Sequence, residues 1–87
     1  MVEQHLRKTP NWLTQADERI LELLLDSDPL PVTAIRDKLA ATSPNTDYSR
    51  GYISRRCSTL SKNKFLEKRY RNYTISDQGE AYLAGER

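Results

Sequence analysis

Residues 49–63 constrain this fold more than any other stretch of the chain. Ile53, Cys57 and Leu60 recur at helical spacing, so a helix here hides one face against a core, and the stem of Lys64 extends that side by another turn. The other face carries Gly51, Arg55, Ser58, Thr59 and Lys62, with Tyr52 and Arg56 on its flanks. Ser49 is a favourable N-cap, and the helix is expected to reach Asn63. Directly after it, Phe65–Tyr70 and Tyr73–Ile75 read as short strands around Arg71-Asn72. Asn tolerates positive φ, so a tight hairpin turn is expected there.

The rest of the chain supplies elements to pack against that helix. Thr14 is an N-cap, and Asp17 three residues later completes the pattern of a capping box. Ala16, Ile20, Leu23 and Leu24 then follow at helical spacing, predicting a helix over 14–27 that ends at Asp26-Ser27-Asp28-Pro29. Its acids Asp17, Glu18, Glu22 and Asp26 read as a solvated face. Leu30-Pro31-Val32 is short and extended. Thr33 is expected to cap a second helix with Ile35 and Leu39 inward, broken between Ala40 and Pro44, and residues 42–47 have turn chemistry. Ser76 caps a short last helix whose apolar residues are Ala81, Tyr82 and Leu83. The order is helix, short strand, helix, helix, hairpin, helix. This is a mainly α winged helix-turn-helix with a small β-hairpin as the wing. With 87 residues there is room for one domain, here 13–87, preceded by an N-terminal arm at 1–12.

Charge is distributed unevenly. The chain carries 14 Lys and Arg against 12 Asp and Glu, a net +2. Between residues 50 and 71, however, eight basic side chains face only Glu67, leaving +7 there and −5 on the remainder. A polyanion meeting one end of the molecule explains that polarity better than a uniformly solvated surface. A helix entering the major groove of DNA needs long donors for base edges, small residues for close approach and an apolar face as anchor. The candidate recognition-helix contacts are therefore Ser49, Arg50, Gly51, Tyr52, Ser54, Arg55, Ser58, Thr59 and Lys62. In the wing, Lys68, Arg69, Arg71 and Asn72 are candidates for phosphates or the minor groove.

Other chemistry finds little support. The longest apolar run, Ile20–Leu25, is interrupted by Glu22, too short to span a membrane, and the opening MVEQHLRKTPN lacks the apolar core of a secretory leader. One Cys and one His, Cys57 and His5, do not make a zinc site, and there is no Gly-rich phosphate loop. Cys57 reads as a small core residue, consistent with a reducing cytoplasm. No cofactor, metal or small-molecule effector is expected, and no pair of carboxylates stands out for catalysis. Because one small domain reads few base pairs, a homodimer on duplex DNA is expected, with Leu6, Trp12, Leu13, Tyr82 and Leu83 as interface candidates.

Three stretches strengthen this reading. Trp12-Leu13-Thr14 with Asp17–Glu22, Tyr52–Cys57 with Leu60, and Tyr73–Ser76 with Gly79–Glu86 resemble the haloarchaeal winged-helix proteins related to the phage phi-H repressor. The resemblance spans 12–86 and implies a DNA-binding repressor of an archaeon or its virus. Two features depart from it. Salt-in halophile proteins are usually strongly acidic, whereas this chain is net basic, with its acids away from the basic stretch. Family wings often have Gly at the tip, whereas this one has Arg69-Tyr70-Arg71-Asn72. The reading is a sequence-specific, double-stranded-DNA-binding transcriptional repressor that occupies an operator. The alternatives are a winged-helix protein–protein adaptor and an enzyme such as a nuclease.

Overall fold

The computed structural model describes residues 10–42 and 47–85. Its elements are α1 (Gln15–Leu25), β1 (Leu30–Pro31), α2 (Val32–Thr42), α3 (Arg50–Lys62), β2 (Leu66–Arg69), β3 (Asn72–Ile75) and α4 (Asp77–Leu83). The order is the winged-helix one, with an addition at the sheet. β1 pairs antiparallel with β3, so the sheet has three strands in the order β1-β3-β2. Pro31 lacks an N–H and stands on the edge strand, where a missing donor is tolerated. Ile20, Leu21 and Leu24 of α1, Ile35 and Leu39 of α2, and Ile53, Cys57 and Leu60 of α3 meet in one core, closed by Phe65, Leu66, Tyr73 and Tyr82. Burial of each large aliphatic side chain contributes about 1.5–3 kcal/mol.

Each helix begins where a side chain satisfies its free N–H groups, with one exception. Thr14 accepts from the Asp17 N–H, and Asp17 accepts from the Thr14 N–H, a complete capping box. Ser49 accepts from Tyr52, and Ser76 from Gly79. α2 differs from expectation: it starts at Val32, one residue after β1, rather than from a cap at Thr33. α1 ends at Leu25, with Asp26 as its C-cap.

The end of α3 is set by a left-handed residue. Lys64 has φ 70°, the Phe65 N–H donates to the Leu60 carbonyl (2.9 Å) and the Lys64 N–H to Ser61 (3.0 Å). This is a Schellman ending with Lys where Gly is usual, its apolar contact being Leu60 with Phe65. Lys64 is consequently exposed, and its stem does not continue the inner face. Ser76 then joins the two ends: its hydroxyl donates to the Lys64 carbonyl at 2.6 Å while capping α4. The first turn of α4 lies so close that a Cβ on Gly79 would overlap the Phe65 carbonyl oxygen.

Asp17 is the largest correction to the sequence reading. It is not on a solvated face but wholly buried. Its two carboxylate oxygens accept from the Arg56 guanidinium, Nε to Oδ1 at 2.8 Å and Nη2 to Oδ2 at 2.6 Å. Arg56, whose side chain is 19% exposed, also donates to the Trp12 carbonyl at 3.1 Å. The hydrogen bond to Asp17 raises the Arg56 pKa further, against the opposing effect of burial, so this cation is permanent. One guanidinium thus ties α3 to the cap of α1 and to the chain that precedes it.

Three outcomes test this account. Arg56→Ala leaves a buried carboxylate without its counter-charge and should cost about 3–5 kcal/mol in urea unfolding. Arg56→Lys should recover only part, because an ammonium cannot span both oxygens, and a loss under 1 kcal/mol would sink the assignment. Gly79→Ala should cost about 1–3 kcal/mol through forced displacement of α4 from Phe65. The third concerns pH. Burial, followed by the nearby Asp17 charge, pushes the Cys57 thiol up from 9.0 to about 12. Burial also raises Tyr73, with the Cys57 charge adding to the effect. Both groups are neutral in the folded state at a pH where the unfolded chain has begun to ionise. Their contribution is intact below the unfolded pKa and is lost as pH rises. Ionisation of Cys57 should therefore leave urea midpoints unchanged below pH 9 and lower them between pH 9 and 12, with a shallower pH-dependent fall in Cys57→Ala.

Candidate nucleic-acid interface

α3 separates its two faces cleanly. Ile53, Cys57 and Leu60 are fully buried, whereas Arg50, Gly51, Ser54, Arg55, Ser58 and Lys62 are exposed, as is the cap Ser49. Tyr52 and Thr59 are half-buried at the margins. The exposed side therefore presents two guanidinium groups, an ammonium and three serine hydroxyls along a rigid 13-residue helix.

Arg55 is the most defined of these cations. Its guanidinium carbon lies 5.9 Å from the centre of the Tyr52 ring, one helical turn back, within cation–π range. Tyr52 in turn stacks on Tyr48, with centroids 5.5 Å apart and planes at 30°. Tyr48 and Tyr52 both pack against the core, so the ladder Tyr48–Tyr52–Arg55 has a fixed base. Gly51 sits beneath the other end of the guanidinium: a Cβ there would stand 3.8 Å from Arg55 Nη1, ordinary contact rather than a clash. The absent side chain widens the approach to the helix without being sterically required. Tyr52 is thus a support for Arg55 as well as a surface residue. The sequence carries a signal for this, an aromatic three residues before an arginine on a predicted helix.

The hairpin differs from expectation at its tip. Arg69 pairs with Asn72, so the two turn residues are Tyr70 and Arg71. Asn72 is not in the turn: it lies half-buried on the central strand, aligned with both Arg69 and Pro31. The positive φ expected of Asn72 belongs to Tyr70, at 58°. Of the two turn residues only the first is left-handed, a pattern in which Gly is the usual occupant. Arg69, Tyr70 and Arg71 are all exposed. Arg69 lies 3.4 Å from Glu67, a solvent-exposed pair that constrains it weakly. Lys68 is exposed as well, with Nζ 5.8 Å from the centre of the Tyr73 ring opposite it on β3. Arg56, by contrast, is committed to Asp17 and leaves the basic surface.

The chain-end residues fall differently from expectation. Leu13 and Tyr82 belong to the protomer's own core, because Leu13 closes the base of α1 and the Tyr82 ring stacks on Phe65 at 5.4 Å. The Tyr82 hydroxyl donates to Glu18 at 2.5 Å. Neither is available to a partner in the folded protomer. Trp12 is half-buried, its ring 5.7 Å from Phe65, so the chain joins the domain before residue 13. Leu83 is half-buried and lines a shallow groove with Leu25, Glu22, Glu80 and Ala84. Leu6 lies outside the described residues. Among the described residues no helix is long and apolar enough to cross a membrane, and no group of three His, Cys, Asp or Glu side chains could hold a metal ion.

Comparison with known proteins agrees with this architecture. The repressor protein of Halobacterium phage phiH is 33% identical over 85 residues, covering 93% of this chain and 90% of that protein. The crystal structure of the PhiH1 repressor-like protein from Haloarcula marismortui superposes with a TM-score of 0.79 at 28% identity, over 94% of this chain and 89% of that one. The description of the winged helix-turn-helix phage repressor family matches residues 6–87, and the chain belongs to that family.

Proposed function

We propose that the chain is a sequence-specific double-stranded-DNA-binding transcriptional repressor, acting in the cytoplasm by occupying an operator. The observation that carries this reading is the exposed face of α3, where Arg50, Ser54, Arg55, Ser58 and Lys62 stand outward over three fully buried apolar residues. Such a face fits the major groove: the guanidinium of Arg55 can fork onto O6 and N7 of a guanine, and the small side chains allow the helix axis to approach. Lys68, Arg69 and Arg71 then serve the phosphate backbone beside it. Membership of a repressor family supports the same conclusion. Occupancy suffices for repression, since the domain needs only to exclude other proteins from the site.

The binding unit is read as two copies on a two-fold site, because one domain of this size contacts too few base pairs to single out an operator. With Leu13 and Tyr82 in the core, the candidates among the described residues are the half-buried Trp12 and Leu83, the latter beside the exposed Leu25, while Leu6 lies outside the described residues. Sedimentation at micromolar concentration, alone and on a selected duplex, tests the stoichiometry, and one protomer per site would refute it.

Selection of bound duplexes from a random pool tests the function itself. The wild-type chain should enrich one motif and retain it against excess unrelated DNA. Arg55→Ala should lose about 1–3 kcal/mol on that motif and relax preference at one position. Arg71→Ala should weaken all sequences together and reduce the slope of log affinity against log salt by about one unit. If Arg55→Ala lowered every sequence equally, Arg55 would be a phosphate contact. If no motif were enriched, the chain would be an adaptor for an acidic partner.

A further inference from the structure

The tip of the wing holds a residue the fold does not explain. Tyr70 is 96% exposed and stands at φ 58°, a backbone conformation that a bulky side chain rarely adopts. Among the described residues nothing offsets that cost: the ring pairs Trp12–Phe65, Tyr48–Tyr52 and Phe65–Tyr82 do not include it, and the core lies at the other end of the hairpin. Gly or Asn would relieve the backbone and remove a large exposed ring. A strained, solvent-facing aromatic between two exposed arginines, Arg69 and Arg71, is therefore best accounted for by a surface outside the protomer.

We propose that Tyr70 is a specificity-determining residue that enters the minor groove of duplex DNA and favours A·T pairs beside the site read by α3. The inference rests on the DNA-binding reading above and adds a second element of readout to it. Three features of the tip fit that groove. The narrow minor groove of A·T-rich DNA carries an enhanced negative potential, which suits a ring flanked on both sides by guanidinium groups. Its walls are deoxyribose, against which an aromatic ring buries apolar surface. Its floor offers only acceptors at A·T pairs, N3 of adenine and O2 of thymine, so a tyrosine hydroxyl can donate there, whereas the guanine amino group at a G·C pair would stand in its way. A protein partner would more naturally meet the half-buried apolar groove at Leu25 and Leu83 than a single ring between two cations.

The strain makes the test directional, because the variant that weakens binding should strengthen the fold. Duplexes selected by the wild-type chain from a random pool serve as the probe, and Tyr70→Gly, Tyr70→Asn and Tyr70→Phe are compared on them. Tyr70→Gly and Tyr70→Asn should unfold at higher urea than wild type and bind the selected duplexes about tenfold more weakly. A second selection with Tyr70→Gly should return the same central motif with its A·T flanks lost. Tyr70→Phe should keep most of the affinity while discriminating less between A·T and G·C flanks. If Tyr70→Gly binds as tightly as wild type and selects the same flanks, the assignment of Tyr70 is overturned and the reading of α3 stands. If Tyr70→Gly instead changes only self-association, the ring belongs to a protein contact and the assignment likewise fails. If the wild-type chain enriches no sequence, both readings fall together.

Discussion

The geometry of the basic face depends on one buried ion pair. Arg56 reaches from α3 to Asp17 of α1 with two hydrogen bonds, one to each carboxylate oxygen, and to the Trp12 carbonyl with a third. Asp17 is also held by the capping box with Thr14, so the cap and Arg56 orient the same carboxylate. Hydrophobic burial alone would seat α3 on the core through Ile53, Cys57 and Leu60, but apolar contacts are not directional and leave rotation about the helix axis loosely fixed. A bidentate pair at the edge of that apolar seam fixes the rotation. The direction in which Arg55 and Ser58 point is consequently set by a residue that does not belong to their face. An ion pair of this kind is weak evidence for net stability, since desolvation offsets much of the attraction. Its contribution is to the choice of one docking angle.

The second fixed point lies at the C-terminal end of α3. The Schellman turn at Lys64, the double use of the Ser76 hydroxyl and the close approach at Gly79 converge within a few residues of Phe65. They determine where the chain leaves the helix and therefore where β2 starts. Because β3 is central and also holds β1, the wing is anchored from two sides while its tip projects freely. The helix face and the wing are thus held in one arrangement by polar contacts at the middle and at the C-terminal end of an amphipathic helix. In so small a domain each such contact is a large part of a marginal stability.

What could be read from the residues alone followed the range of the interactions. The caps Thr14, Ser49 and Ser76, the buried triplet on α3 and the existence of the hairpin are local or periodic, and all are present in the structure. The exposure of Arg50, Ser54, Arg55, Ser58 and Lys62 followed from the same periodicity. The failures involve long-range partners or backbone conformations that composition hides. Asp17 looks like any first-turn acid until a guanidinium 39 residues away is placed beside it. Tyr82 and Leu13 look like spare apolar side chains because the core they complete is assembled from every helix. At the wing, assigning positive φ to Asn72 followed residue preference, but register decided otherwise: with Lys68 opposite Tyr73 and Arg69 opposite Asn72, the turn can only be Tyr70-Arg71. The pairing of β1 with β3 lies in the same class, since two residues carry too little pattern to declare a strand's partner.

Charge and shape make unequal demands on such a surface. Seven exposed cations lie between residues 50 and 71, and at low ionic strength they would attract any duplex. Screening shortens that attraction to about 3 Å at molar salt, so phosphate contacts then contribute little to either affinity or choice. On the proposed reading, what survives screening is contact that needs close fit: a guanidinium held over the Tyr52 ring for a base edge, and a ring held out at the wing tip for a groove. Both are aromatic devices, and both carry a cost in the free protein, one in side-chain freedom and the other in backbone strain. A surface relying on charge alone would need neither. The chain's twelve acids lower the net charge to +2, but only Glu67 among them lies between residues 50 and 71. On the proposed reading, basic groups along α3 and the wing orient the approach, while the few positions where geometry is fixed decide which sequence is retained.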